Sequence, residues 1–244
     1  MKNTILNKIS IMSLSAMALA ACATSPETIE MNQTASYINM TAAAGQTESF
    51  AEFLANAAPI VNATEPGTEL WFALQAPGGQ LAIFDIFTDA DARAAHFSGA
   101  VAGALKSNAD GLVEGGWDGG VLANVNNSEV LSTKAPVDVH TATTATYISI
   151  TAAAGQEQAL ADLLTAAGGI VAETEPKTLY WAGLRISERE FAIFDIFADE
   201  SGRAAHFAGK VANILKDQAN VLVEGGWDAG VVANVRNYDI LAAK

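Results

Sequence analysis

Between residues 37 and 134 the apolar positions follow two spacings, every second residue and every third or fourth, which mark strands and helices respectively. Tyr37 to Met40 reads as a strand. Gln46 to Val61 reads as a helix with Phe50, Phe53, Leu54, Ala57 and Ile60 on one face, and Pro59, which lacks an N–H, should bend its end. After the Glu65-Pro66-Gly67 turn, two strands are expected, Thr68 to Leu74 and Leu81 to Phe87. They are joined through Pro77-Gly78-Gly79, a hairpin signal. Asp89 suits the N-cap of a second helix reaching Lys106, in which Phe97, Val101 and Leu105 recur at intervals of four. A last strand falls near Val121 to Val125. The order βαββαβ is the ferredoxin-like arrangement, an α+β fold with two helices on one face of a four-stranded antiparallel sheet.

The same pattern occurs twice. Residues 37 to 134 lie over residues 147 to 244 at a constant offset of 110 without a gap, and 52 of the 98 pairs are identical. Shared blocks include Thr41 to Gln46 with Thr151 to Gln156, Ile83 to Phe87 with Ile193 to Phe197, and Glu114 to Asp118 with Glu224 to Asp228. Residues 135 to 146, rich in Thr, Ala and Val, link the two copies. The third strand of a copy is apolar on both sides, with Leu81, Ile83 and Phe87 on one and Phe84 and Ile86 on the other, so both faces need burial. Two helices cover only one face. The second copy is the obvious cover for the other, because the linker keeps it close. An intramolecular pseudo-dimer with the two sheets face to face is therefore expected. The competing assembly pairs each copy with another chain, and further self-association stays open.

Composition adds a compartment and excludes a partner. The chain carries 13 Lys and Arg against 27 Asp and Glu, a formal charge of −14, and such a surface repels phosphate backbones, so nucleic acid is not expected as a partner. Lys2 and Lys8 precede an apolar stretch from Ile9 to Leu19, too short to span a bilayer, followed by small residues. Residues 1 to 21 thus read as a signal peptide. Leu19-Ala20-Ala21-Cys22 resembles the bacterial lipobox, in which the cysteine is acylated; Ala18-Leu19-Ala20 would serve as an ordinary cleavage site instead. Cys22 is the one cysteine, so no intrachain disulfide and no catalytic thiol are available. Ala23 after the cysteine resembles the sorting signal for the outer membrane, facing the periplasm of a bacterial envelope. Residues 22 to 36 read as a flexible tether.

The candidate chemistry is sparse and repeated. His96 and His206 are two of three histidines, and imidazole is the side chain best placed to accept a proton near neutrality. Asp85 and Asp195 stand on the strand preceding the histidine helix. Asp85 lies roughly 13 Å from the intervening turn along the strand, and His96 roughly 10 Å from it along the returning helix. The two therefore sit at similar depth, within reach of a hydrogen bond. Arg93 is the i, i+3 neighbour of His96, as Arg203 is of His206. The alternative role for these groups is structural, with Asp85 pinning the helix through His96 or Arg93. Trp71 and Trp181 are core or substrate platform. Trp117 and Trp227, in Gly-Gly-Trp-Asp loops, are better placed to touch a ligand. Asn124 and Asn234, expected in the last strand, would bond a ligand carbonyl or only the backbone. No His and Cys spacing suits a transition metal, and no dinucleotide, Walker or nucleophile-elbow motif occurs.

Glu65-Pro66-Gly67-Thr68 with Trp71, Phe84 to Phe87, and Arg93 to His96 together resemble the antibiotic biosynthesis monooxygenase family, the quinol monooxygenase-like proteins of dimeric α/β-barrel fold. The second copy keeps Glu175-Pro176, Thr178, Trp181, Phe194-Asp195, Arg203 and His206, and closes with Ile240 to Lys244. Three departures stand out: the copies are fused, Lys177 replaces Gly67, and the chain carries an export signal. The resemblance implies a cofactor-independent monooxygenase that uses O₂, without metal or flavin, on a quinol or polycyclic phenol. Such chemistry needs a dry aromatic pocket, a base, and a positive or hydrogen-bonding group for the anion. The alternative is a lipid-tethered protein that binds a small aromatic molecule in the barrel cleft without chemistry.

Overall fold

The computed structural model describes residues 32–244, so residues 1–21, read above as a signal peptide, and Cys22 lie outside the described residues. The first copy comprises β1 (Thr34–Met40), α1 (Thr47–Ala55), α2 (Ala58–Thr64), β2 (Thr68–Gln75), β3 (Leu81–Phe87), α3 (Ala90–Phe97), α4 (Ala100–Leu112) and β4 (Val125–Lys134). The second comprises β5 (Thr144–Thr151), α5 (Glu157–Thr174), β6 (Thr178–Arg185), β7 (Glu190–Phe197), α6 (Glu200–Phe207), α7 (Lys210–Leu222), α8 (Gly226–Gly230) and β8 (Val235–Ala243). The first strand starts three residues before Tyr37, inside the stretch read as tether.

Three elements differ from the sequence reading, each for a local reason. The first helix is broken between Ala55 and Ala58, because Pro59 has no N–H to offer the Ala55 carbonyl; at the equivalent Gly169 the N–H is kept and α5 is continuous. The second helix is two helices. The break falls in both copies at an extended glycine, Gly99 and Gly209, which precedes the next helix; in the first copy Ser98 Oγ also donates to the carbonyls of Ala94 and Ala95, at 3.1 and 3.0 Å, where the second copy has Ala208. The N-terminus of α3 is as expected, with Asp89 Oδ1 accepting from the Ala92 N–H at 2.8 Å. Residues 121–124 are not a strand. A π-helical turn (Gly116–Val121) and a 3₁₀ turn (Leu122–Asn124) precede β4, and Gly115 and Gly116, with φ of 81° and 63°, make the entry that side chains disfavour.

The sheets do more than stack, since their strands join into one closed barrel in the order β1-β3-β2-β8-β5-β7-β6-β4. Val125 to Glu129 of β4 pair with β1 of their own copy, and Glu129 to Lys134 pair with β6 of the other. β8 does the same with β5 and then β2. The long last strand of each copy thus covers the edge that the other would leave bare.

Strand alternation then separates two kinds of core. Ala82, Phe84 and Ile86 point into the barrel with Leu70, Phe72 and Leu74, while Leu81 and Ile83 face the helices. All four tyrosines, Tyr37, Tyr147, Tyr180 and Tyr238, are inside the barrel. Tyr37 and Tyr238 are joined by a hydrogen bond between their hydroxyls. Tyr37 stacks on its repeat equivalent Tyr147, with centroids 3.8 Å apart, so the pseudo-twofold axis passes between them. Among the described residues no helix is long and apolar enough to cross a membrane.

Candidate active site

The alternation of β3 places Asp85 on the helix-facing side, opposite Trp71 in the β2 register. The carboxylate is fully buried and neither oxygen has a hydrogen-bond partner. His96, in the last turn of α3, points its Nε2 at Asp85 Oδ2, 3.8 Å away, and its Nδ1 at Glu65 Oε2, 2.5 Å away. The second copy repeats the set with Asp195, His206 and Glu175. There Nε2 is 3.2 Å from Asp195, an ion-pair contact without good hydrogen-bond alignment, and Nδ1 is again 2.5 Å from Glu175. Thr68 and Thr178 donate to Glu65 and Glu175 at 3.1 and 3.3 Å. Gly99 and Gly209 make room for the glutamates: a Cβ there would stand 2.8 and 2.5 Å from Oε1.

The His206 ring, with a carboxylate at each nitrogen, is satisfied only as imidazolium, since the neutral form donates from one nitrogen alone. Burial by itself would lower the His206 pKa; Asp195 and Glu175 outweigh it and raise it to about 10. Burial pushes the Asp85 carboxyl up to about 7, opposed by His96 and helped by Glu65. Asp195 is raised for the same reason, against His206. The His206 imidazole is thus paired with a carboxylate on each side rather than standing alone.

A cavity of about 450 Å³ opens between α6, α7, α8 and the outer sheet face of the second copy. Trp181, Arg203, His206, Trp227 and Asn237 line it, with Ile148, Ile193 and Leu215 supplying apolar walls. Four residues expected from the sequence therefore meet in one place, with Asp195 behind His206. Trp181 is fully buried and its Nε1–H has no partner. Trp227 is half-buried under Lys216, whose Nζ is 6.0 Å from the ring centroid. Arg203 is buried, donating to Glu200 at 2.6 and 3.0 Å and to the Ala145 carbonyl at 3.3 Å. In the first copy Ala90 stands where Glu200 would be, and Arg93 is half-exposed. Trp71 is fully buried, and Trp117 sits under Lys106 at 5.9 Å.

The asparagines are corrected in place only: Asn124 and Asn234 end 3₁₀ turns rather than lie in the last strand, and their amides take the backbone alternative, donating to the carbonyls of Gly120 and Gly230 at 2.9 and 3.0 Å across the Trp loop. Asn237, on β8, lines the cavity instead. Glu65 and Glu175 were missed as site residues, although the repeated Glu-Pro-x-Thr block marks them. The Gly67 departure is also explained: a Cβ at Gly67 would meet Ala92 Cβ at 2.6 Å, whereas Lys177 faces Gly202. Among the described residues no group of His, Cys, Asp or Glu is placed to hold a metal ion.

No protein-family model and no curated protein matches the chain. Solved structures do match. A candidate monooxygenase of Fusobacterium nucleatum is 15% identical with a TM-score of 0.72, covering 88% of this chain and 95% of its own. One from Lactobacillus acidophilus is 10% identical with a TM-score of 0.70, covering 87% and 95%. An anthrone oxidase-like protein is 10% identical with a TM-score of 0.56, covering 88% and 94%. At these identities the likeness is one of fold: the chain has the ferredoxin-type α/β-barrel fold of these proteins, duplicated in tandem as a pseudo-dimer.

Proposed function

We propose that the protein is a cofactor-independent monooxygenase of a quinol or polycyclic phenol, anchored in the bacterial envelope by a lipid on Cys22. The observation that carries the reading is the second-copy cavity, where Trp181, Trp227, Arg203 and His206 meet on apolar walls. Its volume suits two or three fused rings. The unpartnered Trp181 N–H and the Arg203 guanidinium, which a phenolate would have to share with Glu200, are the hydrogen-bonding and positive groups nearest the cavity. The Asp195 and His206 pair takes the substrate proton as a unit, since burial makes the aspartate a stronger base than usual. The phenolate then reduces O₂ itself, one oxygen atom entering the ring and the other leaving as water.

One observation favours the second reading, a binding protein without chemistry: both nitrogens of His206 already face carboxylates, so no imidazole lone pair is free at neutral pH. Oxygen uptake by metal-free protein over a panel of hydroquinones and anthrone-like phenols separates the two. The oxygenase consumes oxygen with at least one of them, and the binding protein with none.

A further inference from the structure

The barrel closure brings a lysine from each copy to the other copy's buried triad. Lys134, at the end of β4, lies opposite Trp181 in the β6 register and donates from Nζ to the Glu175 carbonyl at 2.7 Å. Lys244 donates from its backbone N–H to the Trp71 carbonyl at 2.9 Å and from Nζ to the Glu65 carbonyl at 2.6 Å. The two lysines are equivalent under the 110-residue offset. Lys134 is only 7% exposed, which is unusual for an ammonium and calls for a compensating charge.

The triads supply that charge. Glu175 and Asp195 around a His206 imidazolium leave one net negative charge in a buried space. The groups facing the ring are these two carboxylates, Thr178 and, from α6, Arg203, whose charge is already engaged by Glu200. An ammonium on the Glu175 backbone balances the remainder. Its attraction to Glu175 resists the fall in pKa that burial imposes on Lys134, and Glu65 does the same for Lys244. In the first copy the set is Glu65, Asp85, His96 and Lys244.

We infer that Lys134 and Lys244 are positioning residues of the opposite copy's site, each the counter-charge that fixes the protonation of a carboxylate–imidazole–carboxylate triad it does not share a copy with. Each site is then built from both copies, which gives the tandem fusion a functional role. The inference rests on the site described above but not on its substrate.

The test is a histidine NMR titration of the full chain, without ligand. His140, the third histidine, is an exposed internal reference in the linker. Removing a positive charge favours protonation, so Lys134→Met should raise the His206 midpoint by about one pH unit and leave His96 in place. Lys244→Met should move His96, by less because Lys244 is half-exposed, and leave His206. Lys→Arg at either position should restore the parent midpoint. Should Lys134→Met not fold, Lys134→Gln serves in its place. Midpoints that do not move, that move equally in both copies, or that move as far in the arginine variants would overturn the inference and leave the lysines as strand staples. A parent that consumes no oxygen would refute the oxygenase and leave this result standing.

Discussion

Phe84 lies stacked on Phe194, its own counterpart in the second copy, with ring centroids 3.6 Å apart and planes 17° from parallel. Two residues related by the repeat can touch only on the axis that relates the copies, so this contact is the centre of the barrel. It buries the sheet face that the helices cannot reach. Phe84→Ala or Phe194→Ala should each cost about 3–5 kcal/mol of stability by leaving a cavity. The double variant should cost less than the sum by about 1 kcal/mol, the part that belongs to the ring pair. Denaturant unfolding of the four proteins measures both.

The triads make stability fall with pH. His206, raised from 6.5 to about 10, contributes stability that is fully present below about 6.5 and lost as pH rises through 10. Asp85, raised from 3.8 to about 7, binds its proton more tightly in the folded state, so its contribution is present below about 4 and lost as pH rises through 7. Both signs agree. Unfolding free energy should decline between pH 5 and pH 9, by on the order of 1–3 kcal/mol. His206→Gln should flatten the part above pH 6.5. A curve that rises over this window would contradict the charge states assigned here.

Much of this was legible in the chain and some was not. The offset of 110 and the doubly apolar third strand pointed to two ferredoxin-like copies burying a shared face, because hydrophobic periodicity records which sides are dry. Strand exchange was invisible, since pairing of β4 with β6 depends on partner edges and not on the composition of either strand. The Asp85 and His96 encounter could be measured out along a strand and a helix. Glu65 could not, because its place depends on the break at Gly99 that lets the backbone pass its carboxylate. Asn124 was misplaced because Val-Leu-Ala-Asn-Val is apolar enough to read as a strand, while the two left-handed glycines before it wind it into turns.

The compensating pair at the Glu-Pro turn gives a clean exchange experiment. Gly67→Lys should clash with Ala92 and destabilise the first copy by about 1–3 kcal/mol. Adding Ala92→Gly, which copies the Lys177 and Gly202 arrangement, should recover most of the loss in a thermal melt. No recovery would mean that the two copies differ here for another reason.

Attachment is tested apart from chemistry. Cys22→Ser should block acylation and move the protein from the membrane fraction to the soluble one. Unchanged fractionation with an unmodified N-terminal mass would contradict the lipid anchor.

The central claim is that the triads serve oxygen chemistry on a bound phenol, and oxygen consumption tests it most directly. The metal-free full chain should consume oxygen with an anthrone-like phenol. His96→Ala combined with His206→Ala should slow that uptake by about a hundredfold or more with ligand affinity little changed, in a protein that still folds but melts lower because each buried triad loses its imidazole. The double variant removes both triads at once, so that the first copy cannot mask a loss in the second. No uptake by the parent despite tight binding, or undiminished uptake in the folded double variant, would contradict the account.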